Sequence, residues 1–143
     1  MRYLLVALAV AGVVVSAFAL HAHYSKDYLY LPCDINSRWS CGLVNHSRYA
    51  MVLGVPVALI GILGYTLLGV VAWLQKRMQV MALSIIALGI ALHFTYIEAE
   101  VLHMWCLYCV ISQGVIAVMT ALAIGWWFAC RCRKPSDAAS SAA

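Results

Sequence analysis

The chain has 143 residues, enough for one domain; 66% of them are apolar and only 10% are charged. A water-soluble domain of this length has too much surface for its volume to hide that much apolar side chain, so the excess must face lipid. The net charge of +4 does not mark a nucleic-acid binder. The basic residues sit at the ends of apolar runs, and no stretch clusters Lys and Arg among polar residues as a phosphate-tracking groove does.

A helix that crosses a bilayer needs about 20 mostly apolar residues. The first run, about residues 3–20, is marginal in length. Met1-Arg2, the apolar run and Ala17-Phe18-Ala19 also fit a secretory signal peptide with a small-residue cleavage site. A retained anchor is favoured, because the charged start holds one basic residue and its removal would leave an odd bundle of three. Either way the following segment lies outside. That segment, His21 to Arg48, is the only long polar stretch, and loops carried on a rigid scaffold are where function concentrates. Residues 40–54 are predicted to form a shorter segment with a small helix near the membrane surface. The second span is predicted over about 55–75, since Pro56 suits the first turn of a helix, where no backbone donor is needed. The third follows over about 78–98 and the fourth over about 105–130. Residues 135–143 are small and polar and read as a disordered cytoplasmic tail. The expected architecture is all-α: one membrane domain over 1–134, a four-transmembrane-helix bundle with an external loop and a short surface helix between helices one and two.

Charge sets the orientation. Lys76 and Arg77 lie between spans two and three; Arg131, Arg133 and Lys134 follow span four; with Arg2 these are six of the nine basic residues. Placed in the cytoplasm, they satisfy the positive-inside rule. The loop at about 21–53 and the turn near 98–105 are then outside, although the loop carries Lys26, Arg38 and Arg48.

The six cysteines divide by side. Cys33, Cys41, Cys106 and Cys109 fall outside, where disulfides persist; Cys130 and Cys132 fall in the cytoplasm, where thiols stay reduced, and receive no catalytic role. Cys106 and Cys109 stand three apart at the start of span four, on one helix face and able to bridge. In a first turn, free backbone donors and the helix dipole favour a thiolate, the species that performs thiol–disulfide exchange. Four cysteines suggest zinc, but a zinc site prefers two close pairs, and Cys33 and Cys41 are separated by seven turn-forming residues, Asp34 to Ser40. No metal is expected. The four cysteines allow three pairings, and the sequence leaves them open. A mobile external pair beside a helix-terminal CxxC is a relay from soluble thiols to a hydrophobic oxidant. A pair of purely structural disulfides is the rival.

Other residues have plainer readings. Glu98 and Glu100 mark the interface, His93 is a hydrogen-bonded bundle residue, and the tryptophans fit aromatic belts. Gly54, Gly61, Gly64 and Gly69 let helices approach closely.

Together Cys33-Asp34-Ile35, Cys41-Gly42, Ser47-Arg48-Tyr49, Leu53-Gly54-Val55-Pro56 and Cys106-Leu107-Tyr108-Cys109 resemble the vitamin K epoxide reductase family, especially its bacterial members, in order and over nearly the whole chain. The resemblance implies a four-helix bundle around a quinone, ubiquinone or menaquinone, in a bacterial inner membrane. It implies that Cys109 lies next to the quinone, that Cys106 is attacked by the loop, that Cys41 is its partner, and that Cys33 exchanges with a periplasmic thioredoxin-like protein. Ser47 matches a family serine near the surface helix. Val57 stands where animal members carry a quinone-binding Asn, and Gln113, four residues past the CxxC, where they carry a Tyr. Both differences weaken the case for epoxide reduction and leave disulfide formation untouched. Many bacterial members carry a fused thioredoxin-like domain; a separate partner is expected here. The expected activity is oxidation of that partner with reduction of a membrane quinone. The alternatives are reduction of vitamin K quinone or epoxide by the same relay, and a non-enzymatic tetraspan protein stapled by disulfides.

Overall fold

The computed structural model describes residues 1–26, 36 and 38–140, with side chains through Ala129. Five α-helices follow in chain order: α1 (Arg2–Tyr24), α2 (Cys41–His46), α3 (Val57–Trp73), α4 (Arg77–Ile97) and α5 (Leu107–Ser140). Three stretches are long and apolar enough to cross a membrane: Arg2–Tyr24, Arg77–Leu102 and Leu107–Ala129. Only 11–28% of each apolar window is buried inside the protein, and helices that are apolar all round need lipid on their outer faces. The chain is therefore a mostly helical membrane protein. The fourth long helix, α3, is apolar but has 17 residues, about 26 Å at 1.5 Å per residue.

Local sequence explains the joints. Ser40 caps α2, its hydroxyl accepting from Leu43 N–H at 3.3 Å, which satisfies one free donor of the first turn. A two-residue hairpin follows, β1 (Met51–Val52) pairing antiparallel with β2 (Val55–Pro56). Its tip is Leu53 (φ 52) and Gly54 (φ 82), the two positive φ values a tight turn matching strand twist requires. Pro56 then caps α3. At the other end of α3, Gln75 takes the left-handed conformation (φ 57). Lys76 N–H donates to Val71 O at 3.2 Å and Gln75 N–H to Ala72 O at 3.1 Å, the paired bonds of a Schellman stop. The helix α4 can then start at Arg77 and run back. The backbone of α5 is helical through Ser140.

The helix α1 is the hub, packed on both α3 and α5, while α4 packs on α5 and α3. The α1–α3 seam is close because it is small. The Tyr65 ring lies where Gly12 leaves no side chain, a Cβ on Gly61 would come 2.8 Å from Ser16 Oγ, and one on Gly69 would come 3.2 Å from Ala9 Cβ. Such seams hold membrane helices by contact, since lipid tails supply no hydrophobic driving force between them. Of the four glycines expected to do this, Gly61 and Gly69 do; Gly64 faces open space and Gly54 serves the hairpin. The main core comprises Leu5, Ala9, Tyr65, Leu68, Val71, Ala72, Val80, Ile116, Met119 and Ala123. Tyr65 Oη donates to Ser112 O at 2.8 Å and Thr120 Oγ1 to Ser84 O at 3.1 Å, tying α5 to α3 and α4. At this end Arg2 lies over the Trp73 ring at 5.3 Å and Arg77 over Trp126 at 5.0 Å, so Arg2, Lys76 and Arg77 share one end of the bundle.

Candidate functional site

Three of the four sequence-predicted cysteines lie at the opposite end. Cys33 is outside the described residues. Cys41, the first residue of α2, is in a disulfide and fully buried. Cys106 precedes the first residue of α5 and is fully buried; Cys109, in the first turn, is half-buried; both are free thiols. Cys41, Val44 and Cys106 form a small buried cluster on which Met104, Leu107, Tyr108 and Cys109 pack.

Backbone pairing brings these cysteines together. Trp105 N–H donates to Arg38 O at 2.8 Å, and Ser40 N–H donates to Trp105 O at 3.1 Å. The Trp39 and Trp105 rings meet above this one-rung parallel bridge, their centroids 6.4 Å apart. Each cysteine follows its bridge residue, directly for Cys106 and after Ser40 for Cys41, so fixing the backbone fixes the sulfurs. These two tryptophans thus do more than line an interface. A second tie runs through Asn45 of α2. Its amide donates to Cys41 O at 2.9 Å and approaches Cys106 Sγ at 3.6 Å. Asn45 O is in turn hydrogen-bonded by His23 of α1, whose ring stacks on His46 at 5.5 Å between centroids.

A π-helical segment, Glu98–Leu102, ends α4 and stops at His103, a non-glycine residue at φ 50. Met104 N–H then donates back to Glu98 O at 3.2 Å. This winding separates the two glutamates: Glu98 is 4% exposed, while Glu100 faces outward. Glu98 carboxylate accepts from Cys106 N–H at 3.2 Å and is in polar contact with the Cys109 thiol. The expectation that Glu98 merely marks an interface is corrected. Its burial follows from the π-turn, which rotates it toward the CxxC. His93 is also corrected: it faces outward on α4 rather than into the bundle.

The two remaining predicted residues sit apart. The Ser47 hydroxyl donates to Val44 O at 2.7 Å, finishing α2. Gln113 lies one turn past Cys109 on the same face of α5, its carbonyl oxygen accepting from Thr95 Oγ1 of α4 at 2.7 Å. That bond holds the side chain at the α4–α5 seam. A shallow cleft lined by Lys76, Arg77, Met78, Gln79 and Ala82 lies at the basic end and holds none of the cysteines. Among the described residues no group of three His, Cys, Asp or Glu could hold a metal ion.

Sequence reasoning missed Glu98 and Asn45. An acidic residue inside a candidate span was a usable signal; Asn45 looks like any polar loop residue.

A dithiol at the mouth of a membrane helix, with a disulfide-bonded cysteine packed on it, is the arrangement of a membrane-bound redox protein. The chain matches the vitamin K epoxide reductase family over residues 3–124, and it belongs to that family. It is accordingly a membrane oxidoreductase of the quinone/epoxide reductase type. No curated protein matches the chain.

Proposed function

We propose that the protein is a quinone-coupled thiol–disulfide oxidoreductase, which oxidises a periplasmic thioredoxin-like protein and reduces ubiquinone or menaquinone. One observation carries the reading: Cys41 and Cys106, 65 positions apart in the chain, are both fully buried in one cluster that also holds Cys109. Cysteines used only as staples need no such meeting. In the proposed relay the partner dithiol reduces the Cys33/Cys41 pair. Cys41 thiolate then attacks Cys106 of the oxidised Cys106–Cys109 pair and expels Cys109, and a second exchange recloses the loop pair. Two electrons and two protons pass from the resulting dithiol to the quinone, giving the quinol. Cys109 faces the quinone, with Ser47 and Gln113 as further candidates to bind it.

The same proposal has four spans, α1, α3, α4 with its π-helical extension, and α5 through Ala129, in one domain over 1–134. The basic end faces the cytoplasm and the cysteines face the periplasm of a bacterial inner membrane. The close α1–α3 seam supports α1 as a retained span. Reporter fusions after Leu74 and after Lys134 are expected to read cytoplasmic, and a periplasmic reading at either point overturns the orientation. For the chemistry, purified protein in lipid is mixed with quinone and a reduced thioredoxin-like protein while quinone absorbance is followed. Turnover that needs all four cysteines is expected. A protein inert to reduced partner and to small dithiols alike would be a stapled tetraspan instead.

A further inference from the structure

Among the described residues Glu98 carries the one buried carboxyl, and the relay leaves it unused. It is 4% exposed, on a helix that crosses the membrane, and no Lys or Arg pairs with it among the described residues. An acid in that position is costly to bury and calls for a function. Its partners are both parts of the CxxC: the Cys106 N–H at 3.2 Å and the Cys109 thiol. The titratable groups acting on it are the two thiols, while Glu100 on the same π-turn faces outward. A π-turn inserted before His103 is what aims it there, and such single-turn insertions concentrate at functional sites.

We propose that Glu98 is the catalytic proton acceptor for Cys109, which rests on the quinone-coupled reading above. The Cys109 S–H bond breaks, its proton passes to a Glu98 carboxylate oxygen, and the electron pair stays on Sγ. As Cys106 and Cys109 close their S–S bond, the two sulfurs together lose two electrons to the quinone. The quinol takes up two protons, the one held on Glu98 and the one from Cys106. Glu98 is the acceptor placed beside that thiol.

A bland role competes with this one: the carboxylate also caps the first turn of α5 through Cys106 N–H. Glu98→Gln separates the two, because an amide oxygen still accepts that hydrogen bond but the side chain cannot take a proton. With a small dithiol and a short-chain quinone, Glu98→Gln is expected to lower kcat about 10²-fold or more, the usual weight of a positioned base. KM should change little, and the fall in wild-type rate toward acid pH, as Glu98 becomes protonated, should vanish. Glu98→Asp should recover part of the rate. Infrared difference spectra between the dithiol and disulfide forms need no quinone. In the wild type they should show a Glu98 carboxylate band that shifts when the Cys109 S–H beside it is lost and that is absent in Glu98→Gln. Full activity and an unaltered pH profile in Glu98→Gln would overturn the proposal, as would a difference spectrum without a carboxyl band. A wild type that never reduces quinone but does show the band would sink the quinone reading and keep Glu98 as the acceptor.

Discussion

At the basic end of the bundle Leu5, Ala72, Val80 and Met119 are fully buried, and what surrounds them is mostly apolar side chain, with Ser84 and Thr120 as buried polar neighbours. At the opposite end Cys41 and Cys106 are buried just as fully, but Ser40, Asn45 and Glu98 are buried with them. The first end is held mainly by shape, with one buried hydrogen bond from Thr120 to Ser84 O, and its apolar residues are exchangeable for others of the same volume. The second is held by directed bonds, two from the loop backbone and one from the Asn45 amide, so its residues are exchangeable for almost nothing. A membrane protein has little apolar driving force for packing helices. It can therefore leave one end to close contact and spend its few polar groups where sulfur positions must be set.

Substitutions at the two ends should fail in different ways, and the largest effects belong to the cysteines. Cys106→Ser or Cys109→Ser should drop quinone reduction by any thiol to the uncatalysed background while leaving the protein folded. Cys109→Ser should also accumulate a Cys41–Cys106 bridge on non-reducing gels after acid quench and alkylation. A Cys33–Cys106 bridge in its place would swap the roles of the two loop cysteines.

In the α1–α3 seam, Gly12→Leu forces a side chain into the space filled by the Tyr65 ring and should destabilise the fold by about 2 kcal/mol. Thermal unfolding in detergent checks this, and turnover per folded molecule should be unchanged. Altered turnover there would mean that the ends are coupled. Trp105→Pro removes the N–H that reaches Arg38 O. It should slow transfer from partner to quinone about tenfold, the weight of roughly one lost hydrogen bond, with little effect on turnover by a small dithiol. Asn45→Ala should slow the same transfer about fivefold, corresponding to about 1 kcal/mol. Cys130→Ser and Cys132→Ser should be silent in both assays.

The sequence announces some of these features and hides others for physical reasons. Apolar length and the CxxC are local signals, so the membrane helices and the helix-terminal thiols were legible from residues alone. So was Pro56 as a mark of the start of α3. The burial of Glu98 was not. Glu98 and Glu100 are two apart, and which one turns inward depends on a π-turn that no residue type marks. The role of Gly54 was misassigned because a glycine beside an apolar run fits a helix seam as well as a hairpin tip. The Trp39–Trp105 bridge joins residues 66 positions apart, and no local pattern reports such a pairing. Ser47 was legible as a residue of interest, yet its hydroxyl is committed to Val44 O.

The one-rung bridge also sets how often the site opens. Two backbone hydrogen bonds, each contributing about 0.5–1.5 kcal/mol net, are the first part of what separates a seated loop from a lifted one. On their footing alone a lifted form would occupy at most roughly 15% of molecules at equilibrium, and the Asn45 contact and the buried Cys41, Val44 and Cys106 lower that share further. A covered dithiol is thus shielded most of the time from stray oxidants, yet is uncovered often enough to meet a protein partner without any part of the helical bundle unfolding.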